Sequence, residues 1–165
     1  MVRALTVSLL TVVLCLLGPG ASNAEEASYP GTFCVGDGYP GTSSGIIYNW
    51  ANRAENAAAT KKVINCPIVR MNQNAALSWV RIYFRDNHAS DSVECKLYSK
   101  DVTGLSFRVT STQSSGGAFT GNSSMLFWGP PGNFVGGHYV VLCHLPGKVS
   151  SGSYIQSYVV SELPQ

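Results

Sequence analysis

From Cys66 onward, hydrophobic and polar residues alternate with a period of two. Because successive side chains of a β-strand point to opposite faces, this period is typical of strands with one buried face. The clearest segment runs from Ser78 to Phe84, where Val80, Ile82 and Phe84 share one face. Each later segment likewise has its own set of residues on one face. These sets are Val93, Cys95 and Leu97; Leu105, Phe107 and Val109; Tyr139, Val141, Cys143 and Leu145; and Ile155 with Val159, opposite Tyr154 and Tyr158.

Turn-forming residues separate these segments at short intervals. The connections are Asp86-Asn87-His88, Asp101-Val102-Thr103-Gly104, Ser114-Ser115-Gly116-Gly117 and Pro146-Gly147. Short alternating strands with frequent turn signals are typical of two packed antiparallel sheets. The pattern therefore predicts an all-β fold, an antiparallel two-sheet β-sandwich of about seven or eight strands, either jelly-roll or immunoglobulin-like.

The first 24 residues have the layout of a signal peptide. Arg3 supplies a positive charge, Ala4–Leu17 forms the apolar stretch, and small residues precede a cleavage position near Ala24. We therefore expect the mature chain to be secreted, or to be periplasmic or otherwise extracellular. Asn122-Ser123-Ser124 matches the N-glycosylation sequon, which a eukaryotic secretory pathway would use.

The remainder, residues 25–165, has the size of a single domain and contains no internal repeat. Its first part, residues 25–60, is predicted to be irregular, because Gly and Pro are frequent before residue 45. Within it, Ala51–Lys62 has the only helical composition, for which a short helix and a loop are both open.

The cysteines predict two disulfides. Cys15 lies in the predicted signal peptide, and Cys34, Cys66, Cys95 and Cys143 remain. Four cysteines in an exported chain allow three connectivities, and none of them has the close spacing of a zinc site. We favour Cys34–Cys66 and Cys95–Cys143, because Cys95 and Cys143 lie on the apolar faces of their strands.

Charge and hydropathy exclude two classes of partner. The formal net charge is +2, and the longest basic run is Lys61-Lys62. Nucleic-acid binding needs a larger and more clustered positive charge. No window approaches the 18 apolar residues of a membrane-spanning helix, so membrane insertion is not expected either.

Two formal catalytic motifs lack the structural setting that their chemistry needs. Gly41-Thr42-Ser43-Ser44-Gly45 matches the nucleophile elbow, but no strand precedes Ser43. Gly36–Gly41 matches the dinucleotide motif G-x-G-x-x-G, but Pro40 interrupts it and no βαβ unit follows. We therefore predict no catalytic residue and no cofactor.

Four oxygen-bearing residues form the best candidate metal site, which is a weak calcium candidate. Asp86, Asn87, Asp91 and Glu94 cluster around one turn, and oxygen ligands suit Ca²⁺. Their order does not fit an EF-hand loop, and Asp and Asn are ordinary turn residues. The prediction therefore includes no resident metal.

One strand carries a candidate binding surface. Trp79, Arg81, Tyr83 and Arg85 must share a side, opposite Val80, Ile82 and Phe84. If that side faces solvent, it offers aromatic rings and cations that could stack on a sugar or contact a protein partner. In the alternative arrangement, Trp79 and Tyr83 belong to the core.

Three functional hypotheses follow from these features. The first is a secreted, disulfide-stabilised binding module for a glycan or for a protein or cell surface, without catalysis. The second is a structural or assembly component of an envelope or extracellular matrix. The third is a small secreted hydrolase or lyase. Oligomeric state is not predicted.

Overall fold

The computed structural model describes residues 25–36, 45–71, 75–116, 120–129, 134 and 136–163. These residues contain no α-helix. Their regular elements are one 3₁₀ turn (Gly31–Phe33) and twelve β-strands. The strands are β1 (Glu25–Pro30), β2 (Val35–Gly36), β3 (Ile46–Tyr48), β4 (Ala54–Asn56), β5 (Lys62–Ile68), β6 (Leu77–Asp86), β7 (Glu94–Lys100), β8 (Phe107–Val109), β9 (Gln113–Ser114), β10 (Gly121–Trp128), β11 (His138–Leu145) and β12 (Tyr154–Glu162). The predicted all-β class is confirmed.

Two antiparallel sheets contain all of these strands. Sheet A has the order β10-β6-β12-β4-β3, with β1 also paired to β12. Sheet B has the order β2-β5-β11-β7-β8, with β9 also paired to β7. The long strands β5, β6 and β7 alternate between the sheets, and so do β10, β11 and β12. Immunoglobulin-like sandwiches keep neighbours such as their first two strands in one sheet, so the alternation favours the jelly-roll form.

The core lies between the two sheets and confirms the predicted inward face of β6. Val80, Ile82 and Phe84 are at most 1% exposed. From sheet B, the inward residues of β11, including Tyr139 and Val141, are at most 2% exposed. Apolar burial of this kind is the main stabilising contribution to such a domain. In the described part of the chain, no helix is long and apolar enough to cross a membrane.

Both predicted disulfides are present. Cys95 and Cys143 lie directly opposite each other on β7 and β11, and their side chains are buried. Cys34 follows the 3₁₀ turn and is bonded to Cys66 of β5. Because Cys34 directly precedes β2, which pairs with β5, this second bridge lies within sheet B and holds the start of β2 to β5. With sequence separations of 32 and 48, each bridge contributes about 4 kcal/mol in the chain-entropy model.

The N-terminal segment is more regular than its composition predicts. Residues 25–30 form β1, which pairs with β12 along its whole length. Ala54–Asn56 forms β4 inside the segment with helical composition. Pairing with an existing strand overrides weak local propensity, and an edge strand tolerates Pro30. The expectation of an irregular segment is therefore wrong for these residues, and so is the helix.

Two predicted strand faces are also wrong. A β-bulge between Ile155 and Ser157 reverses the later alternation of β12, so that Tyr158 and Val160 point into the core. A bulge adds one residue and flips every side chain beyond it. Leu105, Phe107 and Val109 are exposed, because β8 is a three-residue edge strand of sheet B.

Several sequence features lie outside the described residues. The predicted signal peptide, residues 1–24, is one of them. Residues 37–44 are another, and they include Ser43 and most of the two formal motifs.

Candidate binding face on sheet A

The outward side of β6 carries the four residues singled out from the sequence. Trp79, Arg81, Tyr83 and Arg85 alternate with the buried Val80, Ile82 and Phe84. Trp79 and Arg81 are half-buried, whereas Tyr83 and Arg85 are exposed. The structure therefore places this side of β6 on the outer face of sheet A, away from the core.

Strand register adds two further aromatic residues to the outer face. Trp128 of β10 lies directly opposite Trp79, and its side chain is 67% exposed. Tyr154 of β12 lies directly opposite Arg85. Trp128, Trp79, Tyr83 and Tyr154 form a row across three neighbouring strands, which we call the aromatic row. Ser124 lies beside Tyr83, and Leu126 and Val159 flank Arg81 on the same face.

Arg81 contributes to the aromatic row by covering one of its rings. Its guanidinium carbon lies 5.5 Å from the centre of the Trp79 ring. Its Nε is buried and has no hydrogen-bond partner. Two carboxylates of the neighbouring segments have other partners: Glu94 pairs with Lys61, and Asp101 accepts a hydrogen bond from Thr103 in its own turn. Cation–π contact with Trp79 is therefore the interaction that orients Arg81.

A cleft of about 220 Å³ opens at the Tyr154 end of the aromatic row. We call it the arginine cleft, and its lining residues are Arg53, Glu55, Arg85, Asn87, Ser151, Gly152 and Tyr154. Hydrogen bonds fix one wall. Arg85 donates from Nε to Asn87 Oδ1 at 2.8 Å, and Asn87 donates from Nδ2 to the carbonyl of Gly152 at 2.8 Å. The loop before β12 thus orients the Arg85 guanidinium.

The opposite wall of the arginine cleft is an ion pair stacked on an aromatic ring. Arg53 Nη2 lies 3.1 Å from Glu55 Oε2. The Arg53 guanidinium carbon lies 4.3 Å from the centre of the Tyr154 ring. Tyr154 therefore belongs both to the aromatic row and to the cleft, and it connects the two.

Close backbone packing shapes the cleft at Gly152. A Cβ atom built on Gly152 would lie 2.1 Å from the carbonyl oxygen of Asn56 and 2.7 Å from Cγ of Glu55. Real Cβ atoms do not approach backbone so closely, so only glycine fits here. The loop before β12 therefore lies directly against β4, which carries Glu55.

The weak calcium candidate is not assembled as a site. Asp86 is buried, and its carboxylate accepts four hydrogen bonds: from the backbone N–H groups of His88 and Val93 and from the hydroxyls of Ser115 and Ser153. Asp91 and Glu94 instead pair with Lys61, at 3.0 and 3.6 Å. Asn87 takes part in the arginine cleft. Among the described residues, no group of three or more His, Cys, Asp or Glu side chains is arranged to hold a metal ion.

Arg53, Glu55, Trp128 and Tyr154 were not among the residues selected from the sequence. The signal for Tyr154 was present, since it alternates with the buried Ile155. Trp128 ends a short apolar run, which gives no indication of the strand beside it. Arg53 and Glu55 lie in a segment whose composition is helical. Their position on the wall of the cleft depends on the pairing of β4 with β12, which the sequence does not indicate.

Comparison with known proteins gives structural neighbours only. No protein-family model and no curated protein matches the sequence. A low-affinity xylan-binding module, CBM86 from Roseburia intestinalis, is similar with a TM-score of 0.53 and 10% sequence identity, over 84% of this chain and 96% of the module.

Two further structural matches have lower TM-scores. A family two carbohydrate esterase from Cellvibrio japonicus has a TM-score of 0.48 and 7% identity, over 86% of this chain and 36% of the esterase. CBM35 from Paenibacillus barcinonensis has a TM-score of 0.41 and 13% identity, over 81% of this chain and 97% of that module. The match to the xylan-binding module supports the β-sandwich fold alone. Sequence identities this low carry no information on site residues.

Proposed function

We propose that this protein is an extracellular carbohydrate-binding module whose ligand lies along the aromatic row of sheet A. The observation that carries the proposal is the direct cross-strand placement of Trp128 and Trp79 on an outer face. Aromatic rings held open on a flat sheet provide the apolar surface on which the C–H faces of pyranose rings stack. A large exposed aromatic side chain at such a position is typical of a ligand contact.

The dimensions of the row suit an oligosaccharide. Trp79 and Tyr83 are four residues apart on β6, which corresponds to about 13 Å, or roughly two or three pyranose rings. Asn122, Ser124 and Ser157 lie on the same face and offer amide and hydroxyl groups. A mostly apolar surface with a few hydrogen-bonding groups is the usual composition of a small-molecule site.

Two other features support an extracellular, glycan-related role. Two disulfides are typical of proteins that mature in an oxidising compartment, which agrees with the signal peptide expected from residues 1–24. The structural neighbour CBM86 is described as xylan-binding, and it shares the sandwich with this chain. That analogy supports the class of ligand, while the residues involved are argued from sheet A itself.

Affinity electrophoresis tests the proposal with the purified protein and soluble xylan, β-glucan, mannan and galactan. We expect at least one polysaccharide to retard the wild-type protein, and Trp79→Ala and Trp128→Ala each to lower the affinity about tenfold, by loss of stacking and buried area. Phe107→Ala is the matched control, because Phe107 is an exposed aromatic residue on sheet B.

The outcomes separate the hypotheses. Retardation that is lost in both tryptophan variants and kept in Phe107→Ala supports the proposed site. Equal mobility of the wild-type protein in every gel would contradict glycan binding by this module. Equal weakening in all three variants would contradict the assignment to sheet A.

A further inference from the structure

The arginine cleft has a positive charge balance at one end of the aromatic row. Arg53 and Arg85 are its cationic lining residues, and Glu55 is its anionic one. The cleft therefore has a formal charge of +1. A ligand group of opposite charge gains both Coulomb energy and charge-assisted hydrogen bonds there.

Arg85 is held in a conformation that favours binding. Arg85 donates from Nε to Asn87 Oδ1, and this hydrogen bond fixes the guanidinium plane. Asn87 itself is held by two contacts, from Nδ2 to the carbonyl of Gly152 and from its backbone N–H to Ser153 Oγ at 3.0 Å. A guanidinium that is already ordered loses less entropy when it binds a ligand, and its planar fork matches an oxyanion.

Arg53 has donor capacity that the protein does not use. Its Nε is buried and has no hydrogen-bond partner, although Nη2 contacts Glu55. Because Nε is buried, a ligand oxygen would contact the rest of the guanidinium, whose side chain is 33% exposed. The Tyr154 ring beneath the Arg53 guanidinium keeps this group at the cleft wall.

We propose that the arginine cleft binds the anionic substituent of an acidic glycan, a uronic acid carboxylate or a sulfate ester, with Arg85 and Arg53 as its ligands. The inference rests on the proposed function, because the neutral part of the same glycan would lie on the aromatic row. Tyr154 contributes to both parts, so one chain can occupy both at once.

Isothermal titration with two matched pairs of oligosaccharides tests the proposal. The first pair is oligogalacturonate and its methyl ester, and the second is a sulfated galactan oligosaccharide and its desulfated form. We expect the charged member of at least one pair to bind about tenfold more tightly, as for a charge-assisted contact at a partly exposed site. The pair that shows the preference identifies the anion, carboxylate or sulfate.

Two variants with opposite expected effects assign the preference to the cleft. Arg85→Gln should abolish the difference between the charged and the neutral sugar. Glu55→Gln should increase the affinity for the charged sugar several-fold, because it removes the competing anion. A purely structural role for Glu55 would lower the affinity instead. Lys96→Gln is the control for a general charge effect, since Lys96 lies on β7 of sheet B.

The preference should also weaken as NaCl rises from about 50 mM to about 500 mM, since screening affects exposed charges. Equal binding of charged and neutral sugars would overturn this inference and leave the proposed function intact. No binding of any glycan would overturn both. A preference that survives Arg85→Gln would overturn the assignment to this cleft.

Discussion

Asp86 connects four parts of the chain at the end of β6. Its buried carboxylate accepts hydrogen bonds from His88 and Val93 in the following turn, from Ser115 after β9, and from Ser153 before β12. Hydrogen bonds to a charged acceptor contribute more than neutral ones, and loss of the acceptor leaves several buried donors unsatisfied. At the residue scale, Asp86 therefore determines where the loop beside the arginine cleft lies.

We expect Asp86→Ala to lower the free energy of unfolding by about 2–4 kcal/mol, through loss of these hydrogen bonds. Chemical denaturation followed by tryptophan fluorescence measures the change. Asp91→Ala is the matched control, because Asp91 forms a partly exposed ion pair with Lys61, which contributes at most about 1 kcal/mol. Equal effects of the two substitutions would show that Asp86 has no special role.

At the residue scale, the sequence predicts which side chains share one side of a strand, but it does not predict which residues lie beside them on the neighbouring strand. Alternation alone predicts that Trp79, Arg81, Tyr83 and Arg85 share one side of the strand, and it leaves open whether that side faces solvent or the core. It could not place Trp128 beside Trp79, because the register between β10 and β6 is set by hydrogen bonds between segments distant in sequence. The two disulfides were predictable because Cys95 and Cys143 each fit the inward period of a strong strand.

At the scale of elements, the bulge in β12 and the close packing of its preceding loop determine the site. The bulge lets Tyr154 face outward while Tyr158, four residues later, faces inward. A strict period of two gives both tyrosines the same face, so sequence alternation could not predict this. Short strands such as β4 could not be predicted either, because their formation depends on the neighbouring strands and not on their own composition.

We expect Gly152→Ala to destabilise the domain by about 1–3 kcal/mol and to weaken any ligand held by the arginine cleft. The added methyl group would overlap the backbone of Asn56, so the loop must move away from β4. Thermal unfolding followed by circular dichroism tests this, with Ser151→Ala on the same loop as the control. An unchanged midpoint for Gly152→Ala would show that the loop can adjust without loss.

At the scale of the whole molecule, two phenolic hydroxyls connect the two sheets. Tyr158 of β12 donates to the carbonyl of Pro67 in β5 at 2.6 Å. Tyr29 of β1 donates to the carbonyl of Val69, just after β5, at 2.8 Å. Burial is the main cause of the raised pKa of both residues, with a smaller contribution from Glu162 for Tyr29 and from Tyr29 for Tyr158. Each hydroxyl must keep its proton to remain a donor.

The folded protein should therefore lose stability in alkali. Because the pKa of each phenol is higher in the folded than in the unfolded chain, the stabilisation is complete below about pH 10 and declines as pH rises further. Urea unfolding between about pH 7 and pH 11 measures the decline. Tyr158→Phe should be less stable at neutral pH and should show a shallower alkaline decline. An unfolding free energy that stays constant to about pH 11 would contradict this assignment.

The pairing of β1 with β12 also determines how the domain responds to mechanical force. Glu25 lies directly opposite Glu162, so the two ends of the described sandwich leave it at the same point, at the end of β12 remote from Tyr154. Tension applied there separates an antiparallel pair one hydrogen bond at a time, which requires little force. Peeling from the β1 side can proceed only as far as Cys34, where the covalent bond to Cys66 stops it. Under tension the domain would then extend by about one strand, while the opposite end of sheet A, which carries the proposed binding site, stays folded.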